Sequence, residues 1–407
     1  MTESSGPLLF EEACAILQHI AATRRLAVEQ LSVARCHGRV LAADIFAPID
    51  LQPFDNSAMD GYAVRHADIG EAGASLRLVG EQFAGRALGL RAGAGECIRI
   101  TTGAPMPAGT DSVVIREDAS VDGDRVAVPG GIRAGANVRR AGEDCVAGEH
   151  VLAAGTRLGA VHVSLAASLG IDRLPVSARP TVAVFTTGDE LVEPGMSLQP
   201  GQIYNSNREL LMGLLRAEGL EPVAWPTLPD DPARIVAMLD DAAGSFDLVL
   251  TCGGVSAGGK DHLPALLRER GTVHFWKVRM KPGMPVLAGQ LGQAQYLGLP
   301  GNPVSVLATW LTLGRVLVDG MQGAAPRPRR FARLAAPVEK QHARREFLRG
   351  CLHYDTDGAC RVTPASATGS HRLRAAAQAN ALLVLVEGPQ ALAAGDVVEV
   401  LPLPSGR

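Results

Sequence analysis

Three apolar runs in the middle of the chain each end in a loop rich in glycine and acidic residues. The runs begin at Thr181, Phe246 and Gln295, and continuous apolar stretches of this kind are typical of parallel strands buried on both faces. Segments with helical spacing of leucines, such as 208–218, lie between them. Because strands and helices alternate, we predict a doubly wound α/β domain over residues 179–323.

The remainder of the chain has short apolar runs that are separated by glycine and proline. Residues 10–22 have helical spacing, and we assign residues 1–50 together with 145–178 to an N-terminal helix and linker domain. Residues 51–144 are predicted to form an inserted β-rich domain. Beyond a linker rich in proline and arginine, short strands over 328–407 predict a C-terminal β-barrel-like domain. The expected fold class is multidomain, mixed α/β and β.

Composition narrows the classes of partner. With a net charge of −3 and 4% aromatic residues, the 407-residue chain lacks the basic surface and stacking side chains of nucleic-acid-binding proteins. The seven cysteines include no C-x-x-C pair, which is typical of a protein from the reducing cytosol. The start has no signal-peptide pattern, and the longest apolar stretch, 304–318, is too short to span a bilayer and predicts a buried helix. We expect a cytoplasmic protein without nucleic-acid or membrane partners.

Acidic residues follow the predicted strands of the α/β domain. Glu190, Asp230 and Asp261 each lie in a loop after such a strand, and ligands of open α/β sheets bind beyond the carboxyl ends of the strands. Carboxylate oxygens together with substrate phosphates are the ligands that Mg²⁺ prefers. The three residues therefore predict a magnesium and phosphate site, although Asp230 could instead cap a helix and Glu190 could be a first-turn acid.

The glycine-rich turn 253–259 is open to three interpretations. Its G-x-S-x-G pattern around Ser256 fits a hydrolase nucleophile elbow. It also nearly matches a P-loop, but Asp261 stands where a P-loop has the Ser or Thr that ligates Mg²⁺, so we reject NTP hydrolysis of that type. A turn with Gly253 and Gly254 before a helix can still bind an anion through its backbone N–H groups. The third interpretation is a plain strand-to-helix turn.

Basic residues and polar loops complete the candidate chemistry. Lys277 and Lys281 are spaced to face the same side of a strand, and lysine is a compact charge for an oxyanion, although a solvated edge would look the same. Arg349 could bind an oxyanion through both arms of its guanidinium group. The polar loops 53–63 and 139–144 have no helical or strand periodicity, which favours either function or ordinary turns.

Eight segments, in order along nearly the whole chain, together resemble the molybdopterin molybdenumtransferase (MoeA) family, which is related to the E domain of gephyrin. The segments are 54–63 (FDNSAMDGYA), 101–105 (TTGAP), 139–144 (RRAGED), 187–191 (TGDEL), 253–258 (GGVSAG), 281–283 (KPG), 299–305 (LPGNPVS) and 346–350 (EFLRG).

The resemblance implies a transferase that inserts molybdate into adenylylated molybdopterin, with Mg²⁺-dependent cleavage of the pyrophosphate link and release of AMP, to give the molybdenum cofactor. It implies four domains and a homodimer, with the active site between the α/β domain of one subunit and the N-terminal domains of the other. It also implies contact with the adenylyltransferase that supplies the pterin. The residues carried over by position are Asp60, Thr102, Arg139, Asp144, Glu190, Asp230, Asp261, Lys277, Lys281, Pro300, Pro303, Arg349 and Ser370.

Charge suggests the roles of these residues. We expect Asp261, with Glu190 or Asp230, to hold Mg²⁺ and orient a water molecule. We expect molybdate and the pterin phosphate to be attracted by the cations Lys277, Lys281 and Arg349. The nucleotide phosphates should bind to the glycine turn with Gly253, Gly254 and Ser256. The loop that closes the site should be fixed by Pro300 and Pro303.

The chain departs from the family pattern at two positions. Met284 stands where the family often has the second lysine of Lys-Pro-Gly-Lys-Pro, and Gly259 stands where a glutamate is common. These changes remove one cation and one acid, so they predict a weaker anion contact and weaker Mg²⁺ binding. The gephyrin likeness leaves a non-catalytic scaffold as the alternative function, and Ser256 leaves a serine hydrolase as a third.

Overall fold

The computed structural model describes residues 6–256, 261–366 and 369–404. Up to residue 177 the elements are helix α1 (Phe10–Thr23), β1 (Val28–Ser32), β2 (Ile45–Phe46), β3 (Asn56–Ser57), β4 (Gly61–Val64), β5 (Ala74–Gln82), β6 (Glu96–Ile100), β7 (Ser112–Ile115), β8 (Ser120–Asp122), β9 (Arg125–Val128), β10 (Val138–Arg139), β11 (His150–Leu152), α2 (Ala160–Ser168) and β12 (Arg173–Ser177). Strands β1 and β12 pair, as do β2 and β11, so the segments before and after the insertion join each other. The insertion itself contains a six-stranded sheet in the order β7-β4-β6-β5-β9-β8 and the pair β3–β10.

The central part contains β13 (Val182–Thr186), β14 (Leu191–Val192), β15 (Ile203–Tyr204), α3 (Ser206–Ala217), β16 (Val223–Ala224), α4 (Pro232–Ser245), β17 (Leu248–Cys252), α5 (Leu263–Arg270), β18 (Thr272–Trp276), β19 (Met280–Lys281), β20 (Leu287–Leu291), β21 (Ala294–Leu299), α6 (Pro303–Thr309) and α7 (Arg315–Gln322). Its main sheet has the order β16-β13-β17-β21-β20-β18, in which β20 alone runs antiparallel to its neighbours. One apolar cluster contains residues of α1, α3, α6 and α7, and a second contains residues of α4 and α5. Both clusters include side chains of β13 and β17, so helices cover both faces and the doubly wound prediction is confirmed.

Local sequence signals account for the helix boundaries in this part. The side chain of Asn205 accepts a hydrogen bond from the Arg208 amide at the start of α3. At the start of α4, Asp231 accepts from the Ala233 amide and Pro232 occupies the first turn, as helix N-termini prefer. The helical stretch Pro303–Gln322, which includes a π-helical turn between α6 and α7, is long and apolar enough to cross a membrane. However, 78% of its most apolar part is buried inside the molecule, as in the core helix that the sequence predicts.

The N-terminal helix α1 packs into the central core although it is distant in sequence. Phe10 and Leu17 of α1 belong to the same apolar cluster as Leu317 of α7. A Cβ atom at Gly320 would lie 2.5 Å from the Cβ of Ala21, so glycine at this position permits the two helices to approach closely.

The C-terminal part contains β22 (Arg330–Leu334), β23 (Val338–Lys340), β24 (Arg345–Tyr354), β25 (Cys360–Pro364), α8 (Leu373–Ala377), β26 (Ala381–Leu385), β27 (Gln390–Leu392) and β28 (Val397–Pro402). Strands β24-β25-β22-β28-β26 form a ring, because β26 pairs again with β24. This is a closed β-barrel, as predicted. Strand β19 of the central part adds to its wall by pairing in parallel with β24.

Candidate functional site

The loops that follow the central strands leave the sheet side by side. Thr186, Cys252 and Leu299 are register partners at the ends of β13, β17 and β21. The Thr187 amide donates to the Cys252 carbonyl at 3.0 Å, and the Gly253 amide donates to the Leu299 carbonyl at 2.9 Å. The loops beginning at 187, 253 and 300 therefore share one edge of the sheet, where ligands of such folds bind.

The predicted acids lie along this edge. Leu228 donates its amide to the Thr186 carbonyl, which brings the following loop beside β13, and the Asp230 amide lies 3.4 Å from a carboxylate oxygen of Asp189. Glu190 turns its carboxylate back over Gly188, where an added Cβ atom would lie 2.4 Å from it. Asp261 lies just before α5. Among the described residues no three His, Cys, Asp or Glu side chains form a cluster that could hold a metal ion by themselves.

The glycine turn has a backbone shape that requires glycine. Gly253 has φ +95° and Gly254 has φ +70°, and a Cβ atom at Gly253 would lie 2.4 Å from Thr187 Oγ1. The indole Nε1 of Trp276 donates to the Val255 carbonyl at 2.8 Å and helps to fix the turn. Ser256 is exposed. The continuation 257–260, with Gly259, lies outside the described residues.

The hydrolase interpretation of Ser256 finds no support in the described parts of the chain. No histidine within them makes a hydrogen bond to Ser256, although a serine nucleophile needs such a base. The turn therefore offers backbone N–H groups rather than a catalytic dyad.

Lys277 follows β18 at the same edge of the sheet. Its backbone has φ +74°, an unusual conformation for a residue other than glycine. Its ammonium group lies 4.2 Å from the centroid of the Trp276 ring, and its amide donates to the Val286 carbonyl at 2.8 Å. Trp276 thus contacts both the predicted lysine and the glycine turn, and a cation over an indole face is a favourable electrostatic arrangement.

A cavity of about 670 Å³ lies between the sheet edge and the barrel. Five of the predicted site residues line it, together with the unpredicted Arg344 and Glu346: they are Ser256, Lys281, Pro300, Arg349 and Ser370. Lysine and arginine outnumber the acids among these residues, so the cavity suits an anion.

Arg349 holds the barrel side of the cavity. It is only 2% exposed, and its guanidinium group donates to the carbonyls of Gly369 and Arg372, each at 3.1 Å. Burial, aided by the nearby charge of Arg372, lowers the pKa of Arg349. The Ser370 carbonyl accepts from the Val304 amide at 3.2 Å. Arg349 and the first turn of α6, which Pro303 opens, therefore fix the loop that carries Ser370.

The partners of Lys281 are not apparent from the sequence. The Lys281 ammonium lies 2.9 Å from one carboxylate oxygen of Glu346, and the His342 Nε2 lies 2.9 Å from the other. Glu346 appears in a family-like segment, but nothing in the sequence pairs it with a lysine 65 positions earlier. The pairing of Lys281 with Glu346 follows from the strand register, in which the two residues are partners on β19 and β24.

Four predicted residues lie on the inserted β-rich part. Asp60 accepts hydrogen bonds from the amide and the hydroxyl of Thr102, both at 2.8 Å, and these bonds lower its pKa. Arg139 lies in β10, opposite Asn56. The Asp144 amide donates to the Leu51 carbonyl. Asp60, Thr102, Arg139 and Asp144 are exposed, and none is among the described residues that line the 670 Å³ cavity.

A larger groove of about 1460 Å³ lies elsewhere and contains none of the predicted site residues. Its acids are engaged by arginines: Glu218 contacts Arg315 at 2.6 Å and Arg327 at 2.7 Å. The Glu218–Arg327 pair joins the central part to the linker before the barrel. We therefore assign the candidate site to the smaller cavity and the adjoining sheet edge.

Comparison with known proteins gives matches that together cover most of the chain. Family models match for the MoeA N-terminal region (domain I and II) at residues 8–170, the probable molybdopterin binding domain at 183–319 and the MoeA C-terminal region (domain IV) at 332–403. The molybdopterin molybdenumtransferase of Haemophilus influenzae is 37% identical over 378 residues, which cover 92% of this chain and 93% of that protein.

Two further relatives extend over almost the whole length. Molybdopterin molybdenumtransferase 2 of Mycobacterium tuberculosis is 38% identical over 400 residues, covering 95% of this chain and 98% of that one. The crystal structure of the molybdopterin biosynthesis MoeA protein from Pyrococcus horikoshii OT3 matches with a TM-score of 0.84 at 29% identity, covering 98% of this chain and 100% of that chain. This chain therefore belongs to the molybdopterin molybdenumtransferase (MoeA) family.

Proposed function

We propose that this chain inserts molybdate into adenylylated molybdopterin, with Mg²⁺-dependent release of AMP. The observation that carries the proposal is the continuity of two features. A sheet edge with glycine amides and carboxylates adjoins a cationic cavity that opens beside Ser256, Pro300 and Lys281. A nucleotide phosphate and a small oxyanion can therefore bind next to each other.

The chain's own residues would bind and orient both substrates. In the turn at Gly253 and Gly254, the Gly253 amide is held by the Leu299 carbonyl, so the amide of Gly254 is the one that would donate to a phosphate oxygen. Lys277, fixed over the indole of Trp276, adds a charge at the same edge. On the cavity side, Lys281 and Arg349 attract molybdate and hold it near the position where the dithiolene would lie.

The carboxylates fit the proposed metal by their chemistry. Asp189 and Asp230 are adjacent, and Glu190 and Asp261 belong to loops of the same edge. All these donors are oxygens, and Mg²⁺ typically uses one or two carboxylates and completes its shell with phosphate and water. When bound to the pyrophosphate, Mg²⁺ supplies Lewis acidity and neutralises charge. We propose Asp261, with Glu190 or Asp230, as its protein ligands.

The decisive experiment is anaerobic incubation with adenylylated molybdopterin, molybdate and Mg²⁺, with AMP followed by chromatography. We expect the wild type to release AMP, and Asp261→Asn to lose this activity while remaining folded, because the amide is a poorer ligand for the metal ion. Asp241→Asn is the matched control, because Asp241 is an exposed carboxylate of α4 in the same part of the molecule. Full activity of Asp261→Asn would refute the assigned role.

We also propose a cytoplasmic homodimer in which the inserted part of one subunit completes the site of the other. Exposure of Asp60, Thr102, Arg139 and Asp144 away from the cavity supports this arrangement. Sedimentation should give a dimer at working concentration. A mixture of inactive Asp60→Asn and Asp261→Asn chains should regain activity, because hybrid dimers contain one intact site; no recovery from exchanging dimers would contradict a shared site.

The same assays separate the alternatives. Binding of a peptide partner without any AMP release would favour the scaffold function. Labelling of Ser256 by a fluorophosphonate would favour the hydrolase. Contact with the adenylyltransferase that supplies the pterin is tested by co-sedimentation of the two proteins.

A further inference from the structure

A chain of three side chains leads from the barrel to the cavity. Lys281 contacts Glu346, and Glu346 contacts His342, each at 2.9 Å. We propose that Glu346, oriented by His342, is a positioning residue that directs the Lys281 ammonium toward an oxyanion in the cavity. The proposal rests on the proposed function of this site as the place where molybdate binds.

The pairing of two backbone strands brings Lys281 and Glu346 together. Parallel pairing of β19 with β24 sets Lys281 opposite Glu346. Glu346 therefore reaches Lys281 from the barrel, while Lys281 itself follows the central sheet. The Glu346 side chain is only 10% exposed, whereas that of Lys281 is 36% exposed and borders the cavity. A buried carboxylate with each oxygen bound to a different partner has little freedom to rotate.

His342 acts as a neutral donor. Its Nε2 faces Glu346, whereas its Nδ1 is buried without a hydrogen-bond partner among the described residues. A protonated Nδ1 would leave a buried donor unsatisfied, so the tautomer with hydrogen on Nε2 fits best. Burial lowers the pKa of His342, although Glu346 opposes this effect. His342 thus orients Glu346 without adding charge to the cavity.

The position of His342 is itself fixed. The ammonium of Lys340, a residue only 2% exposed, donates to the carbonyls of His342 and Gly388. The strand β23 ends at Lys340. These two hydrogen bonds from Lys340 fix the loop between β23 and β24, so His342 is held in position to contact Glu346.

Two of the three lysines that the structure describes, Lys277 and Lys281, belong to the candidate site. The sequence contains only four, at 260, 277, 281 and 340, although lysine and arginine together number 39. Arginine supplies positive charge everywhere else. An ammonium group carries three donors, so a lysine held by one carboxylate keeps two donors for a ligand.

Positioning by Glu346 and simple electrostatics predict opposite changes in molybdate affinity for Glu346→Gln. If Glu346 only reduced the positive charge of the cavity, Glu346→Gln would strengthen the binding of molybdate. If Glu346 positions Lys281, the same variant should weaken molybdate binding and turnover by about tenfold, the lower end of what outer partners of ligating groups contribute. Calorimetric titration with molybdate and AMP release measure the two effects separately.

Lysine labelling tests the contact without relying on activity. Brief acetylation followed by mass spectrometry should label Lys281 several-fold faster in Glu346→Gln, because the ammonium loses its buried partner, while Lys277 serves as an internal reference. Glu339→Gln, which changes an exposed carboxylate of β23, is the control and should behave like wild type.

A double-mutant cycle completes the test. In a Lys281→Met background, Glu346→Gln should change molybdate affinity no further, because the residue it positions is gone. His342→Leu should shift affinity and labelling in the same direction as Glu346→Gln. Unchanged Lys281 labelling in Glu346→Gln, or tighter molybdate binding, would overturn the proposal. A wild type that neither binds molybdate nor releases AMP would instead refute the proposed function, and the labelling result would still report the positioning.

Discussion

Replacing Gly253 with alanine tests whether the glycine turn is built as the structure describes. Two costs add at this position. The residue has φ +95°, and a left-handed backbone costs a side-chain-bearing residue about 1–2 kcal/mol. The new Cβ atom would also lie 2.4 Å from Thr187 Oγ1, inside the ~3.3 Å of the closest ordinary carbon–oxygen contacts. Displacing a packed neighbour typically costs a further ~1–3 kcal/mol.

Gly195→Ala separates the two costs. Gly195 has φ +96°, but nothing lies within 4 Å of its Cβ position. We therefore expect Gly195→Ala to lower the free energy of unfolding by about 1–2 kcal/mol and Gly253→Ala by about 2–5 kcal/mol. Only the second substitution should reduce AMP release, because only Gly253 belongs to the turn that we propose binds an anion.

Tryptophan fluorescence during urea unfolding is a suitable assay. The three tryptophans, Trp225, Trp276 and Trp310, all lie in the central part of the chain, so their signal reports on the unit that contains both substitutions. Equal losses of stability in the two variants would refute the steric argument, and full activity of Gly253→Ala would refute the role of the turn. Thr187→Ala should partly restore the stability of Gly253→Ala, because it removes the atom that the new Cβ meets.

Two further predictions concern charged groups. Burial would raise the pKa of Glu218, but Arg315 and Arg327 hold it below its ordinary value. The stability that the ionised Glu218 contributes should therefore be lost as the pH falls below about 4.5. Glu218→Gln should lower the free energy of unfolding by about 3 kcal/mol at pH 7. In the same fluorescence assay Glu209→Gln, which removes a 59% exposed partner of Arg208, should cost less than about 1 kcal/mol. Arg349→Lys should weaken molybdate binding about tenfold in calorimetry, since one ammonium cannot keep the guanidinium's contacts to two carbonyls. Wild-type affinity in this variant would contradict the role assigned to the Arg349 guanidinium group.

The central sheet could be predicted because its information is local. The runs that become β13, β17 and β21 are continuously buried, and a strand covered on both faces needs apolar residues at every position. The cap at Asp231 and the proline that follows it are likewise short-range signals. The sharing of one edge by these loops then follows from parallel pairing alone.

The barrel was predicted less completely. The sequence pattern does not predict the individual strand β25 (Cys360–Pro364), because this segment has little apolar character. It is nevertheless required for the ring, since it joins β24 to β22. Its stability comes from neighbours on both sides, and tertiary pairing of this kind overrides weak local propensity.

The cavity could not be assembled from the sequence, because its residues come from two parts that are distant along the chain. Lys281 was a candidate by charge and spacing, but its partner Glu346 and the cavity-lining Arg344 lie in the barrel. The register of β19 against β24 brings Lys281 and Glu346 together. Sequence patterns report the period within an element, and they carry little information about which strand of another part lies opposite.

This junction has a consequence for how substitutions in the barrel should be interpreted. The central sheet supplies the edge where we propose that phosphate binds, whereas the barrel supplies Arg349 and the carboxylate that contacts Lys281. A barrel substitution that shifts β24 against β19 would move both groups relative to the glycine turn. Because misplacement by about 1 Å can reduce a rate by roughly 100-fold, such a variant can lose molybdate insertion while the sheet edge still binds the nucleotide. Separate measurements of nucleotide affinity and molybdate affinity are therefore needed to tell a damaged oxyanion cavity from a damaged nucleotide site.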